Sequence, residues 1–338
     1  MRVKYAGFNL FGLISQNQSL IKSFTEFKYD SLKTLHLTHT FGIVQNDELK
    51  MFLYGYFDEK THQNVEIKTG LGKVVKKVSV YDNKMTILFE CGGVYNVNID
   101  GDLSLNKISV NIDEDDCIVD ISAGPDFIIG ITKNGFVYDI PNKLDFVNKE
   151  IVQVETGREH CILLDKTGNV YTFGSGSKGQ LGHGDLTNKD NPVLVEALAG
   201  IKIDKIAAGG WHSCALSDSG DMYTWGWNQD NQLGLFEDKD VDKKAVVGTP
   251  EPVNFPDFEA SVEDIACGTR HTVALLGNKL YGAGMNKYFQ LGNNKSNDET
   301  AMKCLYEADG DVLDLICGPW STAILMSDNK TDAEENVS

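Results

Sequence analysis

The chain has 338 residues, of which 49 are acidic and 31 are lysine or arginine, so its formal net charge is −18. A surface this acidic argues against nucleic acid as a direct partner, because proteins bind a phosphate backbone mainly through lysine and arginine. Glycine is frequent, at 33 residues, whereas proline occurs only 7 times, and this balance is typical of many short strands joined by tight turns.

The chain ends and the cysteines bear on the compartment and on the domain organisation. No stretch reaches the ~18 apolar residues of a membrane span, and the first residues lack a signal-peptide pattern. The seven cysteines are an odd number without a Cys-x-x-Cys pair, which is typical of reduced thiols. We therefore expect a soluble, intracellular protein. One domain is predicted over residues 1–327, followed by an acidic, disordered tail at 328–338.

In chain order, the predicted elements are copies of a single unit. Residues 154–182 align without gaps on residues 206–234 at an offset of 52, with Gly157 on Gly209 and His160 on His212. Residues 265–292 are a third copy with one residue deleted in its turn, and the remaining copies are weaker or incomplete. The full set of whole and half copies lies at 3–12, 39–55, 84–97, 123–140, 154–182, 206–234, 265–292 and 314–325.

Within each copy, short alternating runs flank a turn, as at residues 218–221, which predicts a hairpin. The mean period is about 47 residues, enough for a four-stranded blade, so the sequence predicts an all-β, seven-bladed β-propeller. The half copy at 3–12 completes the one at 314–325 and closes the ring. The slot of the repeat histidine is predicted at His39, Lys84, Phe127, His160, His212, His271 and Ser321.

The repeat resembles a known family. Its pattern is Gly-x-x-His, then a hairpin that ends in Val-Tyr-x-Trp/Phe-Gly, and then Gln-Leu-Gly. This order of motifs resembles the regulator of chromosome condensation repeat. That family consists of seven-bladed propellers and includes the Ran nucleotide exchange factor. Finer features, at residues 6–12, 207–213, 224–229 and 317–322, resemble its small single-propeller branch. This resemblance implies a JmjC-domain oxygenase as partner, a role in histone methylation state, chromatin repression and chromosome segregation, and a location in nucleus and cytoplasm with chromosome association.

One motif suggests a dinucleotide site and another a metal site, and the repeat argues against both. Residues 174–179 fit Gly-x-Gly-x-x-Gly, but no helical pattern follows, and a phosphate site needs a helix N-terminus there. His160, His212 and His271 occupy equivalent slots on different blades, ~10 Å apart, too far to share one zinc ion. Cys267 and Cys317 share another slot and are expected to be small buried residues. We predict no catalytic constellation, cofactor or metal.

The candidate binding residues surround the histidine slot. The residue before it is Glu159, Trp211, Arg270 or Trp320 in the last four copies, and tryptophan and arginine are enriched at binding hot spots. Arg158 lies beside the first of these, and Trp227 lies in a following loop. Alternatively, Trp211 and Trp320 pack between blades, as core residues of a propeller do. Trp225 is predicted to be core, and the long interval at 235–261 is a candidate binding loop.

These observations support a non-enzymatic scaffold that presents one propeller face to a protein partner and is a monomer before it forms a complex. The alternative function is that of a guanine nucleotide exchange factor for a Ran-like GTPase. Ultraviolet sensing, as in a plant relative, requires a dense tryptophan cluster, and this chain has four tryptophans.

Overall fold

The computed structural model describes residues 1–9, 18–29, 32–69, 74–82, 84–99, 101–146, 150–235, 245–256 and 261–327. Within these ranges the chain forms 28 β-strands and one 3-10 turn, Glu196–Leu198. The strands form seven four-stranded sheets, which confirms the predicted all-β, seven-bladed propeller. In the described part of the chain, no helix is long and apolar enough to cross a bilayer. The predicted tail at 328–338 lies outside the described residues.

The first half of the ring follows the chain order. The chain begins with β1 (Arg2–Phe8) and β2 (Leu20–Lys28), which belong to the last blade. Blade 1 comprises β3 (Thr34–Leu37), β4 (Phe41–Gln45), β5 (Met51–Phe57) and β6 (Lys60–Ile67). Blade 2 comprises β7 (Val75–Tyr81), β8 (Lys84–Phe89), β9 (Val94–Val97) and β10 (Leu105–Ile108). Blade 3 comprises β11 (Ile118–Ala123), β12 (Ile128–Thr132), β13 (Val137–Asp139) and β14 (Asn142–Lys143).

The second half carries the strong repeats. Blade 4 comprises β15 (Ile151–Thr156), β16 (His160–Asp165), β17 (Val170–Gly174) and β18 (Lys189–Leu194). Blade 5 comprises β19 (Ile203–Ala208), β20 (His212–Ser217), β21 (Met222–Trp227) and β22 (Val246–Pro252). Blade 6 comprises β23 (Asp264–Cys267), β24 (His271–Leu276), β25 (Lys279–Gly284) and β26 (Glu299–Glu307). The closing blade adds β27 (Val312–Gly318) and β28 (Ser321–Met326) to β1 and β2.

The long interval at 235–261 is only partly a loop. Its residues Val246–Pro252 form β22, the outer strand of blade 5. Residues 236–244 and 257–260 lie outside the described residues.

The closing blade joins the two ends of the chain, as predicted. Its strand order is β2, β1, β28, β27. β1 runs antiparallel to β28, with Val3 opposite Leu325 and Gly7 opposite Ser321. Val3 and Tyr5 are completely buried, so the first strand is an integral part of the core.

The register of the second and third strands fixes the repeat slots. His160, His212 and His271 each pair with a glycine that has a positive φ: Gly174, Gly226 and Gly284. In blade 1 the residue paired with such a glycine, Gly55, is Phe41. The prediction that His39 occupies this slot is therefore wrong, because the pairing of β4 with β5 places the slot two residues later.

The apolar core lies between neighbouring blades. The second strands of the strong repeats, β16, β20 and β24, are buried along their whole length, because each is covered on both faces by adjacent sheets. Trp225 is completely buried in the cluster between blades 4 and 5, as predicted. Interblade packing thus holds the sheets around an axis, where the first strands line a cavity of about 310 Å³.

Candidate partner-binding face

The loops that join the first and second strands of the blades open on one side of the ring, which we call the upper face. Around the axis these loops surround a depression of about 650 Å³. Its lining residues come from six of the seven blades: His39, Asp82, Lys84, Pro125, Asp126, Arg158, Thr269, Pro319 and Trp320. The predicted binding residues therefore belong to loops that converge on a single surface.

The Gly-x-x-His motif shapes each of these loops in the strong repeats. A Cβ atom added to Gly209 would lie 2.0 Å from Cε1 of His212, and one added to Gly268 would lie 2.0 Å from Cε1 of His271. The imidazole thus occupies the space that a side chain would need. Glycine is required at this position because the histidine ring packs directly on its backbone.

Each repeat histidine then links its blade to the next. Nε2 of His212 lies 2.8 Å from Oγ1 of Thr272 in blade 6, and that hydroxyl donates to the backbone carbonyl of Gln232 at 2.6 Å. Since the hydroxyl proton is used there, Nε2 must be the donor. The same relay joins His160, Ser213 and Gln180, and also His271, Thr322 and Gln290. These histidines have a structural role, as the sequence suggested.

A repeated backbone hydrogen bond pairs side chains on the upper face. The residue after the glycine of each third strand donates its N–H to the carbonyl of the residue before the histidine slot. In blade 5 this bond joins Trp227 to Trp211 at 2.9 Å. The equivalent pairs are Ser175 with Glu159, Met285 with Arg270, and Phe8 with Trp320. The strand geometry therefore brings Trp211 and Trp227 together, although they are 16 positions apart in the sequence.

Trp211, Trp227, Arg270 and Asp230 form what we call the tryptophan–arginine cluster. The two indole rings meet edge to face, with centroids 5.2 Å apart and an interplanar angle of 87°. The guanidinium carbon of Arg270 lies 4.7 Å from the Trp227 ring and 5.8 Å from the Trp211 ring. Asp230 holds the same guanidinium group at 3.1 Å. Arg270 is thus fixed by two cation–π contacts and one ion pair.

Two further cations extend this cluster. The guanidinium carbon of Arg158 lies 5.6 Å from the Trp211 ring, and Nζ of Lys178 lies 4.8 Å from the Trp227 ring. Arg158 also faces Asp82 across 3.8 Å, at the edge of the axial depression. Glu159, in contrast, is exposed and contributes its backbone carbonyl to Ser175.

Trp320 belongs to a second aromatic group on the other side of the depression. Its ring centroid lies 5.0 Å from that of Tyr288, 5.4 Å from that of Phe8 and 5.5 Å from that of His39. The predicted residues are therefore divided between two groups, with Arg158, Trp211, Trp227 and Arg270 in one and Trp320 in the other.

The exposure of the tryptophans bears on the alternative that they are core residues. Trp211, Trp227 and Trp320 are each partly exposed, whereas Trp225 is completely buried. Nε1 of Trp211 is buried and has no hydrogen-bond partner among the described residues. Trp211 therefore combines an interior indole nitrogen with a ring that reaches the surface.

The described residues also include a group with metal-ligand chemistry. His212, Cys214 and Cys267 place their ligand atoms within 4.8 Å of one another, and the two Sγ atoms are 3.2 Å apart. Cys267 and Cys317 are half-buried at the wall of the axial cavity, so they are less enclosed than the sequence predicts. Burial acts to raise the pKa of Cys267, but its contacts with Cys214 and His212 outweigh this and lower that pKa.

The comparison with protein families matches the strong repeats. The model described as "Regulator of chromosome condensation (RCC1) repeat" matches residues 167–216 and 219–275, and a second model of the same description matches residues 151–180 and 203–232. The chain contains regulator of chromosome condensation repeats. This confirms the resemblance that the Gly-x-x-His and Gln-Leu-Gly motifs indicated.

A curated relative and two solved structures carry the same repeats or fold. RCC1 domain-containing protein 1 of Mus musculus is 37% identical over 205 residues, which are 51% of this chain and 54% of that protein. The chain thus spans about half the length of this relative. The structure of human WBSCR16 covers 97% of this chain and 100% of its own, with a TM-score of 0.83 and 18% identity. The structure of Prp20p of Saccharomyces cerevisiae covers 95% of this chain and 90% of its own, with a TM-score of 0.79 and 18% identity.

The repeats also contain binding-face residues that the sequence argument missed. Lys178, Asp230 and Tyr288 all lie two positions before the glutamine of Gln-Leu-Gly, and all three contact the aromatic or cationic residues described above. Their common position in the repeat was the signal that could have identified them. Phe8 was visible only as the counterpart of Trp227 in the half copy at the start of the chain.

Proposed function

We propose that the protein is a non-enzymatic interaction scaffold that presents its upper face to a protein partner. The observation that carries this proposal is the tryptophan–arginine cluster, where two partly exposed indoles and a fixed guanidinium group meet. Tryptophan and arginine dominate binding hot spots because they combine a large apolar area with directed hydrogen bonds. Loops on a rigid scaffold are the usual place for such residues.

The partner proposed from the resemblance to RCC1 domain-containing protein 1 is a JmjC-domain oxygenase. The complex would act on histone methylation state, chromatin repression and chromosome segregation, in nucleus and cytoplasm. The chain would reach chromosomes through its partner, since its net charge of −18 opposes direct contact with nucleic acid. We propose that the free protein is a monomer.

Several features of the upper face adjoin one another and favour a specific complex. A stable interface buries about 800 Å² on each partner, and the cluster, the axial depression and the Trp320 group adjoin one another across several blades. Asp230 holds Arg270 in place. This pre-organisation reduces the entropy that Arg270 loses on binding.

The test is a titration of the oxygenase against the full chain and its Arg270→Glu variant. We expect affinity to fall by at least ~10-fold, because the substitution removes a hot-spot cation and places a carboxylate beside Asp230. Lys202→Glu is the matched control, since Lys202 pairs with Asp218 near the hairpin turns on the opposite side of the ring. Equal affinities for both variants, with unchanged melting curves, would contradict the proposed face.

The second candidate function is nucleotide exchange on a Ran-like GTPase. It rests on the fold shared with Prp20p, a protein whose structure was described together with its binding to Gsp1p and histones. Release of a labelled nucleotide from a Ran-type GTPase separates the two functions. Acceleration at catalytic concentrations of this protein would establish the exchange function and refute the non-enzymatic scaffold.

A further inference from the structure

The three residues His212, Cys214 and Cys267, which we call the thiol cluster, lie at the junction of blades 5 and 6. Cys214 and His212 are completely buried on β20, and Cys267 ends β23 at the wall of the axial cavity. Their ligand atoms are within 4.8 Å of one another. Nδ1 of His212 is buried and has no hydrogen-bond partner within the described residues, while Nε2 is bonded to Thr272.

The other strong repeats show which part of this arrangement is unusual. His160 and His271 have the same buried, unpartnered Nδ1 atom. The position equivalent to Cys214 holds Ile162 in blade 4 and Val273 in blade 6. The position equivalent to Cys267 holds Thr156, Ala208 or Cys317. Among these repeats, two thiols meet a histidine only where blades 5 and 6 join, so the fold does not require them.

We propose that the thiol cluster binds one Zn²⁺ ion through the two cysteine sulfurs and Nδ1 of His212, the ring nitrogen that is not bonded to Thr272. Two thiolates and one imidazole form a known three-ligand zinc set, in which a fourth position stays open for a small ligand. Because Cys267 lines the axial cavity, that cavity provides the route of entry and the space for the fourth ligand. The thiols lose their protons when the metal binds.

The distance between the two sulfur atoms requires only a small movement. Zn–S bonds of ~2.3 Å in a tetrahedral site place two sulfurs ~3.8 Å apart. The Sγ atoms of Cys214 and Cys267 are 3.2 Å apart, so they must separate by roughly 0.6 Å. Cys267 is only partly buried, and rotation of its short side chain toward the cavity can provide this.

Zinc bound to the thiol cluster would stabilise the blade junction and the neighbouring loops of the upper face. The ion would connect β20 to β23 across the blade junction, and it would lie next to the loops that carry Trp211 and Arg270. A metal that binds the folded state alone stabilises it in proportion to its affinity and concentration. The zinc site does not depend on the identity of the partner or on the proposed binding face.

The experiment measures zinc binding by the full chain, kept reduced with a phosphine, through competition with a chromophoric chelator. Wild-type protein should bind one equivalent of Zn²⁺. The variants Cys267→Ala and Cys214→Val introduce residues that other repeats already carry, as in Ala208 and Val273, and should bind at least ~100-fold more weakly. Cys317→Ala is the matched control and should bind as wild type.

A second measurement does not depend on variants. Zn²⁺ should protect Cys267 of the wild-type chain from alkylation, while the exposed Cys91 and Cys304 stay reactive. The proposal is overturned if reduced wild-type protein binds no zinc, or if Cys267→Ala binds as tightly as Cys317→Ala. It is also overturned if mild oxidation joins the two thiols in a disulfide in a protein that takes up no zinc when reduced.

Discussion

Blades 4 to 6 and blades 1 to 3 build the same four-stranded sheets with different contacts between neighbours. In blades 4 to 6 a histidine, a hydroxyl and a glutamine carbonyl form a polar relay across each junction. In blades 1 to 3 the same slot holds Phe41, Lys84 and Phe127. There the junctions depend on apolar packing, as in the cluster around Phe41 and Phe89, and on the Lys77–Asp120 ion pair.

This difference separates what the fold needs from what the repeat motif adds. The relay is not needed to hold a propeller blade in place, since blades 1 to 3 keep their position without it. The relay adds a fixed geometry to the loop that precedes the histidine, and in blades 5 and 6 that loop carries Trp211 and Arg270. The motif therefore positions the candidate binding residues as well as stabilising the ring.

The largest effect is expected where the two regions are joined, in the closing blade. Removal of residues 1–8 deletes β1, exposes an edge of β28 and removes the buried side chains of Val3 and Tyr5. We expect the truncated chain to aggregate or to lose its cooperative melting transition, because an open apolar edge invites association. Size-exclusion chromatography and a melting curve measure this. Removal of residues 328–338 is the control and should change neither.

The next effect compares one slot in the two regions. His212→Ala should cost about 2–4 kcal/mol of unfolding free energy, because it empties a buried site and breaks the bond to Thr272. Lys84→Ala, in the equivalent slot of blade 2, changes an exposed side chain and should stay within about 0.5 kcal/mol. Denaturant titration measures both. Equal costs would show that the relay is not what distinguishes the regions.

A smaller effect sharpens the role of the motif glycine. Gly209→Ala would place Cβ against the His212 ring, and such overpacking should cost about 1–3 kcal/mol. Gly248→Ala is the control in the same blade, because its Cβ would make only an ordinary contact at 3.5 Å. Melting temperatures of the two variants provide the comparison. A stable Gly209→Ala protein would mean that the ring does not need to pack on this backbone.

A further expected effect is a pH dependence of stability, to which the buried histidines of the repeat slot contribute. Burial lowers the pKa of His160 and of His271 to about 3, while an unfolded histidine titrates near 6.5. Between those values only the unfolded chain takes up the proton, so stability falls as the pH decreases from about 6.5. Denaturation midpoints between pH 7 and 5 measure the slope. His160→Gln should flatten it, and an unchanged slope would exclude this histidine as a cause.

The sequence predicts the ring because each repeated copy corresponds to one blade. The aligned copies gave the number of blades and the split closing blade, both of which the strand order confirms. The one misplaced slot, His39, came from matching a histidine by type, whereas the hydrogen-bonded register is set by the hairpin of β4 and β5 and selects Phe41. A degraded copy thus fixes a blade but not each of its positions.

The candidate site is predictable only in part. Trp211, Trp227 and Arg270 meet because their positions in the repeat fix them on one face. The group of Trp320 with Phe8 and Tyr288 involves both chain ends and a neighbouring blade, which one aligned repeat does not reveal. The thiol cluster joins two different slots of adjacent blades, 53 residues apart, so considering the cysteines slot by slot could not find it.

The most direct test of the binding face is amide hydrogen exchange on the complex with the JmjC-domain oxygenase. The central claim is that the partner covers the loops before His212 and His271 and the loop after Trp227. Backbone amides at residues 208–211, 228–231 and 268–270 should exchange more slowly in the complex, while the turn at 218–220 on the opposite side keeps its free rate. Protection of that turn, with unchanged exchange at the three loops, would contradict the account.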